Sequence, residues 1–130
     1  MALQVKELSN TAPTIDNSPQ AQGDSFNIIP NANTPYDLYT APAAKAAVIK
    51  TIRLVNISAA SVKVNLYFMR LNISGQYRRR QITPVDMSLP AGVLYIDDDD
   101  ITLEPGDRIQ GKADTANAIQ YLISGVERDI

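Results

Sequence analysis

The sequence predicts an all-β fold, an antiparallel β-sandwich of jelly-roll-like form that carries an extended N-terminal arm. Short apolar runs, several of them alternating, recur from residue 36 onward, and turn-forming residues separate them. No stretch shows a sustained helical period, and no internal repeat indicates a solenoid. Because 130 residues is the usual size of one domain, the predicted division is an arm over residues 1–35 and one sandwich domain over residues 36–130.

The predicted arm is polar but not uniformly so. Residues 1–35 are rich in Asn, Ser, Thr, Gln, Ala and Pro, and their prolines prevent a long helix from crossing the segment. Phe26, Ile28 and Ile29 form a short apolar cluster that ends at Pro30. We therefore expect part of the arm to be ordered against a partner or against its own domain. The alternative is a floppy terminus in which these apolar residues are incidental.

The clearest strand is "SVKVNLYFMR", in which an apolar residue recurs at every second position, so that one face belongs to a core. The core-facing residues of this strand are Val62, Val64, Leu66 and Phe68. The preceding run, "AAVIKTIRLVN", is apolar but does not alternate cleanly, which indicates a central strand or one with a bulge. The link "ISAAS" between the two runs is short enough for an antiparallel hairpin.

Further strands are expected in "RRRQITPV", "GVLYI", "DITL", "DRIQGKA" and "AIQYLISGVER". The segment "LEPGDRI" also predicts a turn type, because Pro105 fixes the first central φ and Gly106 supplies the positive φ of a type II turn. On that geometry Ile101 and Leu103 point to one side of the chain, and Thr102 and Glu104 point to the other.

Composition excludes several kinds of chemistry. The chain has no His, Cys or Trp, which rules out zinc sites built on those ligands, a Cys nucleophile and a Ser-His-Asp triad. We therefore expect no enzyme activity, no catalytic residue and no cofactor. The net charge of −2 provides no field that would attract nucleic acid or an anionic membrane. Neither is an expected partner, and no apolar run is long enough for a membrane span.

Four consecutive aspartates, Asp97, Asp98, Asp99 and Asp100, raise the question of a cation or catalytic site. A calcium loop needs oxygen ligands at alternate positions, a glycine at its sharp turn and a distal glutamate, and this spacing is absent. Glycoside hydrolysis would need a cleft lined with aromatic residues, and no aromatic cluster flanks the run. The favoured interpretation is a solvated acidic connection between strands. A charge patch at a subunit interface and cation binding are the alternatives.

The segment "GQYRRRQ" places Arg78, Arg79 and Arg80 together, with Arg70 upstream. Arginines beside an aromatic residue can contact phosphates, but three of them in an acidic protein make a small footprint. The simplest interpretation is a solvated edge strand whose charges prevent uncontrolled strand pairing. A more specific hypothesis is that these three arginines of one copy meet Asp97 to Asp100 of another and set the orientation of the two subunits.

Three segments, "LYTAPAAKAAVIKTIRLVNISAASVKVNLYF", "SLPAGVLYI" and "ITLEPGDRIQGKADTANAIQYLISGVE", together resemble small virion-associated β-sandwich proteins of tailed bacteriophages. In that family a Tyr-Thr-x-Pro-Ala-Gly-Lys opening leads into a strand that ends in Asn, and a Leu-x-x-Gly-Asp-x-Ile turn precedes the last strands. The resemblance covers residues 38–127, and the chain departs from the pattern at Ala44, where glycine is usual. It implies a structural part of a phage particle, without catalytic residues.

Within that class we expect a capsid decoration (cement) protein that stabilises the shell through its β-sandwich and N-terminal arm. It is expected in the virion, after assembly in the host cytoplasm. The expected partners are the major capsid protein or other virion proteins, together with further copies of the chain in a homo-oligomer, with a trimer favoured. A neck, tail or head-fibre component is one alternative, and a glycan- or receptor-binding module is another. The latter needs exposed aromatic residues, for which the candidates are Tyr36, Tyr39, Tyr77 and Tyr95.

Overall fold

The computed structural model describes residues 3–7, 27–71 and 74–130, and for residues 3–7 it describes the strand alone. These residues form ten strands and no helix, which confirms the predicted all-β class. The strands are β1 (Leu3–Glu7), β2 (Tyr36–Thr40), β3 (Lys45–Asn56), β4 (Val62–Leu71), β5 (Tyr77–Gln81), β6 (Met87–Leu89), β7 (Leu94–Asp97), β8 (Ile101–Leu103), β9 (Arg108–Ala113) and β10 (Ile119–Asp129). This part of the chain contains no helix that is long and apolar enough to cross a membrane.

The strands divide into two antiparallel five-stranded sheets, which confirms the predicted sandwich. Sheet A has the order β1-β10-β3, and both β7 and β8 pair with the remaining side of β3. Sheet B has the order β2-β9-β4, and both β5 and β6 pair with the remaining side of β4. Each sheet therefore has one outer edge formed by two short strands in succession.

The hydrophobic core lies between the sheets. Val62, Val64 and Leu66 of β4 have no exposed surface, and Phe68 packs against the core while remaining partly exposed, as the alternation in this strand predicts. The other large side chains that are fully buried in the core are Ile29, Ile49, Ile52, Leu54, Leu103, Ile109, Ile119 and Ile123. Both sheets thus supply aliphatic rows to one continuous core.

Strand β3 contains the bulge that its irregular pattern allowed. Ser124 of β10 pairs with Thr51 and Gly125 pairs with Ile49, so Lys50 has no partner in the ladder. The extra residue shifts the alternation by one position, and for this reason Ile49 and Ile52 both point into the core although three positions separate them. The bulge therefore explains why apolar residues do not alternate cleanly along β3.

The predicted hairpin between β3 and β4 is wrong, because the two strands belong to different sheets. Their link crosses from sheet A to sheet B, and the fully buried side chain of Asn56 holds the crossing. Its Nδ2 donates to the carbonyl oxygens of Ala60 and Leu89, each at 2.8 Å. Its Oδ1 accepts hydrogen bonds from the backbone N–H and the hydroxyl of Ser58. A local polar network therefore directs the chain across the sandwich.

The turn of residues 104–107 joins β8 of sheet A to β9 of sheet B and agrees with the predicted type II form. The N–H of Asp107 donates to the carbonyl oxygen of Glu104 at 3.0 Å, and Gly106 has a φ of 86°. The Asp107 carboxylate accepts a further hydrogen bond from the N–H of Glu104 at 2.8 Å. Asp107 is therefore fixed at the end of the sandwich by the turn that it closes.

Replacing Gly125 with alanine should destabilise the domain far more than replacing Gly111. A Cβ on Gly125 would lie 2.2 Å from the backbone carbonyl oxygen of Val48, which is part of the sheet. A Cβ on Gly111 would meet only the side-chain ends of Ile29 and Leu38, at 3.0 and 3.2 Å. We expect Gly125→Ala to lower the free energy of unfolding by about 3 kcal/mol and Gly111→Ala by about 1 kcal/mol. Urea unfolding of both variants tests this, and equal losses would contradict it.

Replacing Asn56 with aspartate should also destabilise the domain. The substitution preserves shape but removes the donor to two carbonyl oxygens and buries a carboxylate beside them. We expect a loss of about 3 kcal/mol or more in the free energy of unfolding at neutral pH. Asn31→Asp, at an exposed position, makes the same change of charge and should have almost no effect. Chemical denaturation measures both, and a stable Asn56→Asp variant would show that the crossing does not depend on this amide.

Candidate interaction surfaces

The three arginines of β5 are divided between the two faces of sheet B. Arg80 pairs with Phe68 across the strands, and Phe68 packs against the core, so Arg80 lies on the inner face. Arg78 shares that face because it lies two positions away. Arg79 takes the outer face, where its guanidinium lies 4.4 Å from the centre of the Tyr67 ring. The strand therefore separates arginines that the sequence presents as one group.

Phe68, Arg70, Arg78 and Arg80 line an open groove of about 260 Å³, which we refer to as the arginine groove. Arg70 is held in place by Asp107, to which its Nε and Nη2 donate at 3.0 and 2.7 Å. This hydrogen bond raises the pKa of Arg70, and the guanidinium also lies 5.1 Å from the centre of the Phe68 ring. Within the described parts of the chain, Arg78 and Arg80 have no ion-pair partner. The groove therefore carries two uncompensated positive charges.

The run from Asp97 to Asp100, here named the acidic turn, interrupts the outer edge of sheet A between β7 and β8. The Oδ1 of Asp97 accepts a hydrogen bond from the N–H of Asp99 at 3.1 Å, which closes a local turn. Asp100 forms an ion pair with the bulge residue Lys50 at 2.9 Å. Asp98 and Asp99 are exposed, and in the described residues their carboxylates have no ion-pair partner. The same residues contain no group of three or more side chains arranged to hold a metal ion.

Two residues of the apolar cluster in the predicted arm lie inside the sandwich. Ile28 and Ile29 are 3% and 0% exposed, and Ile29 belongs to the core. The N–H of Ile29 donates to the carbonyl oxygen of Ile119 at 3.0 Å, and Ile28 forms a bridge with Gln120. An interface role for either residue would require it to leave the core. Phe26, the third member of the cluster, lies outside the described residues.

The outer side of sheet A carries an exposed apolar face, formed by Val55, Leu94, Ile96 and Leu122. Arg53 at its centre pairs with Leu122 on one side and Ile96 on the other, and Val55 pairs with Leu94. Leu94, Ile96 and Leu122 are 40%, 49% and 36% exposed. Because these large aliphatic residues are grouped on one sheet face rather than scattered singly, the face is a candidate interaction surface.

Sequence reasoning missed the apolar face, although a signal for it exists. Tyr121, Leu122 and Ile123 are consecutive, as are Leu94 and Tyr95, so both sides of β10 and β7 are apolar. Successive residues of a strand point to opposite faces, and a strand at the surface of a sandwich normally has one polar side. An unbroken apolar run in such a strand therefore predicts an apolar outer face.

Sequence reasoning also missed a buried pair that joins the sheets. Tyr39 of β2 and Glu127 of β10 are 8% and 3% exposed, and the Tyr39 hydroxyl donates to Oε2 of Glu127. Burial, and then the hydrogen bond to Glu127, raise the pKa of Tyr39 above its ordinary value. The tyrosine therefore stays protonated throughout the neutral range and serves as a polar tie across the sandwich.

Neither a family model nor a curated protein matches the chain. Among solved structures, two crystal structures of pentameric capsid proteins isolated from metagenomic phage sequences resemble it. The first has a TM-score of 0.30 and 18% identity, over 92% of this chain and 77% of the other. The second has a TM-score of 0.27 and 15% identity, over 94% of this chain and 85% of the other. These structural neighbours are phage capsid proteins, and TM-scores this low do not define a shared fold.

Replacing Tyr39 with phenylalanine should lower stability at neutral pH by about 1–3 kcal/mol, because the buried Glu127 loses a hydrogen-bond donor. Since the folded pKa of Tyr39 is raised, its contribution is complete below the unfolded pKa of about 10 and is lost as the pH rises above it. The difference in stability between wild type and variant should therefore shrink in alkaline solution.

Urea unfolding at neutral pH and at several pH values above about 10 measures this difference. Tyr36→Phe, on the same strand but 37% exposed, is the matched control and should change stability little at any pH. If the difference in free energy of unfolding between wild type and Tyr39→Phe stays constant with pH, the raised pKa of Tyr39 in the folded protein would be contradicted.

Proposed function

We propose that this protein is a non-enzymatic structural component of a bacteriophage virion, and specifically a capsid decoration (cement) protein. The observation that carries the proposal is the exposed apolar face of sheet A, which is suited to contact another protein rather than a small substrate. The sequence resemblance to small virion-associated β-sandwich proteins supports the kind of particle. In this proposal the apolar face contacts the major capsid protein or another shell protein.

The size of the apolar face bears on how the protein would bind. Its three exposed aliphatic side chains are already about half covered, so covering the remainder would contribute about 1 kcal/mol each. Association costs about 4 kcal/mol or more in lost freedom of motion, so this face alone gives a weak contact. Several copies joined in one oligomer would bind together and gain effective concentration. We therefore propose a homo-oligomer, with a trimer as the expected state.

A neck, tail or head-fibre component would use the same surfaces and differ in copy number. A glycan-binding module needs accessible rings, and the described tyrosines provide few of them. Tyr39 is buried, and Tyr95 packs against the core. The ring of Tyr77 lies 4.7 Å from the guanidinium of Arg108, which also donates to its hydroxyl. Tyr36 and Tyr77 are 37% and 44% exposed but lie on β2 and β5, at opposite edges of sheet B, so the accessible rings are not grouped for sugar stacking.

Quantitative mass spectrometry of purified phage particles tests the location. A copy number comparable to that of the major capsid protein is the expected result for a decoration protein. A small fraction of that number would assign the protein to the neck, tail or fibres instead. Absence from the particle would overturn the proposal as a whole.

The double variant Ile96→Asp/Leu122→Asp should remain folded, because both positions are exposed, but should lose binding to particles assembled without this protein. We expect its affinity for such particles to fall at least about tenfold, because two charges would have to be buried against the partner. Val85→Asp, at a position that is 74% exposed and outside the apolar face, is the matched control and should bind normally. Cosedimentation measures both, and undiminished binding of the double variant would show that the apolar face is not the contact.

A further inference from the structure

Two exposed features of the molecule carry unmatched charge of opposite sign. In the arginine groove, Asp107 compensates Arg70, while Arg78 and Arg80 have no ion-pair partner among the described residues. In the acidic turn, Lys50 compensates Asp100, while Asp98 and Asp99 have none in the same residues. The two features lie on different sheets, on β5 of sheet B and between β7 and β8 of sheet A.

We propose that the acidic turn of one copy binds in the arginine groove of a second copy. Asp98 and Asp99 of the turn are the ligands, and Arg78 and Arg80 of the groove receive them. Arg70 contributes a guanidinium whose position is already fixed by Asp107. This proposal rests on the proposed function in one respect: it names the contact through which copies of the shell protein would form their oligomer.

The size of the groove suits this ligand. Its volume of about 260 Å³ is enough for two carboxylate groups. Guanidinium groups bind carboxylates through paired donors, so several arginines around one space favour an acidic chain segment over a single small anion. The turn also projects from a sheet edge, where a neighbouring molecule can reach it.

The structure also separates the members of the arginine cluster by role. Arg79 lies on the outer face of sheet B over the Tyr67 ring and does not line the groove. It is therefore not part of the proposed contact, although it stands between the two arginines that are. This gives a control variant with the same residue type, the same strand and the same change of charge per substituted residue.

A contact between two different surfaces forms a ring when the rotation between successive copies closes, and an open filament when it does not. If the turn of the first copy fills the groove of the second, the turn of the second remains available for a third, until the ring closes. This arrangement is compatible with the expected trimer. It also predicts that the assembly weakens as salt is added, because exposed charges are screened.

Four forms of the full chain test the contact: wild type, Arg78→Glu/Arg80→Glu, Asp98→Lys/Asp99→Lys, and the combination of all four changes. Native mass spectrometry and light scattering at low salt give the oligomeric state. Each double reversal should raise the dissociation constant of the oligomer at least about tenfold, because like charges would meet. The combined variant exchanges the two signs and should recover much of the lost association. Arg79→Glu should assemble like the wild type.

Urea unfolding of each variant shows whether it is folded, and the salt dependence of the wild-type oligomer is a second measurement that needs no variant. Unchanged assembly in both double reversals would overturn the proposal, as would an equal effect of Arg79→Glu or an oligomer insensitive to salt. A wild-type chain that stays monomeric would also overturn it. That outcome would also remove the homo-oligomer from the proposed function, whereas the copy number in particles tests the location in the virion separately.

Discussion

The buried amide of Asn56 is the interaction on which the arrangement of the two sheets depends. Its side chain fixes the link from β3 to β4 through Ser58 and Ala60, and it also binds the Leu89 carbonyl oxygen at the end of β6. Its backbone carbonyl oxygen accepts a hydrogen bond from the N–H of Gly92, in the link from β6 to β7. One residue thus organises two places where the chain changes sheets. Because the Asn56 side chain is fully buried, a residue without its donor and acceptor would leave some of these partners unsatisfied.

Features with a local cause could be predicted from the sequence. The alternation of β4 and the turn at Pro105 and Gly106 depend on neighbouring residues, and both predictions are confirmed; the bulge in β3 is one of the two forms that its irregular pattern indicates. The predicted β3–β4 hairpin is wrong, because strand pairing is decided by contacts between distant segments. Ile29 illustrates the same limit, since its burial depends on Ile119 and other residues far along the chain.

The candidate surfaces divide in a similar way. The arginines and the aspartates are recognisable in the sequence as charged runs. Which residues surround them in the folded protein could not be predicted. The alternation of side chains along β5 is enough to place Arg79 on the face opposite to Arg78 and Arg80. Predicting that Arg70 and Phe68 lie beside Arg78 and Arg80 would also require the register between β4 and β5. The apolar face joins residues from β3, β7 and β10, which lie far apart in sequence and meet only because those strands are neighbours in sheet A.

The position of β10 has a consequence for how the protein can acquire its structure. This strand, which follows all the others along the chain, lies between β1 and β3 in sheet A and carries the Glu127 partner of Tyr39. During synthesis β1 cannot join the sheet until β10 has left the ribosome, since it pairs with no other strand in the described residues. Sheet A is therefore completed only after β10 has formed, and the side of β3 that β10 covers stays open to other chains until then.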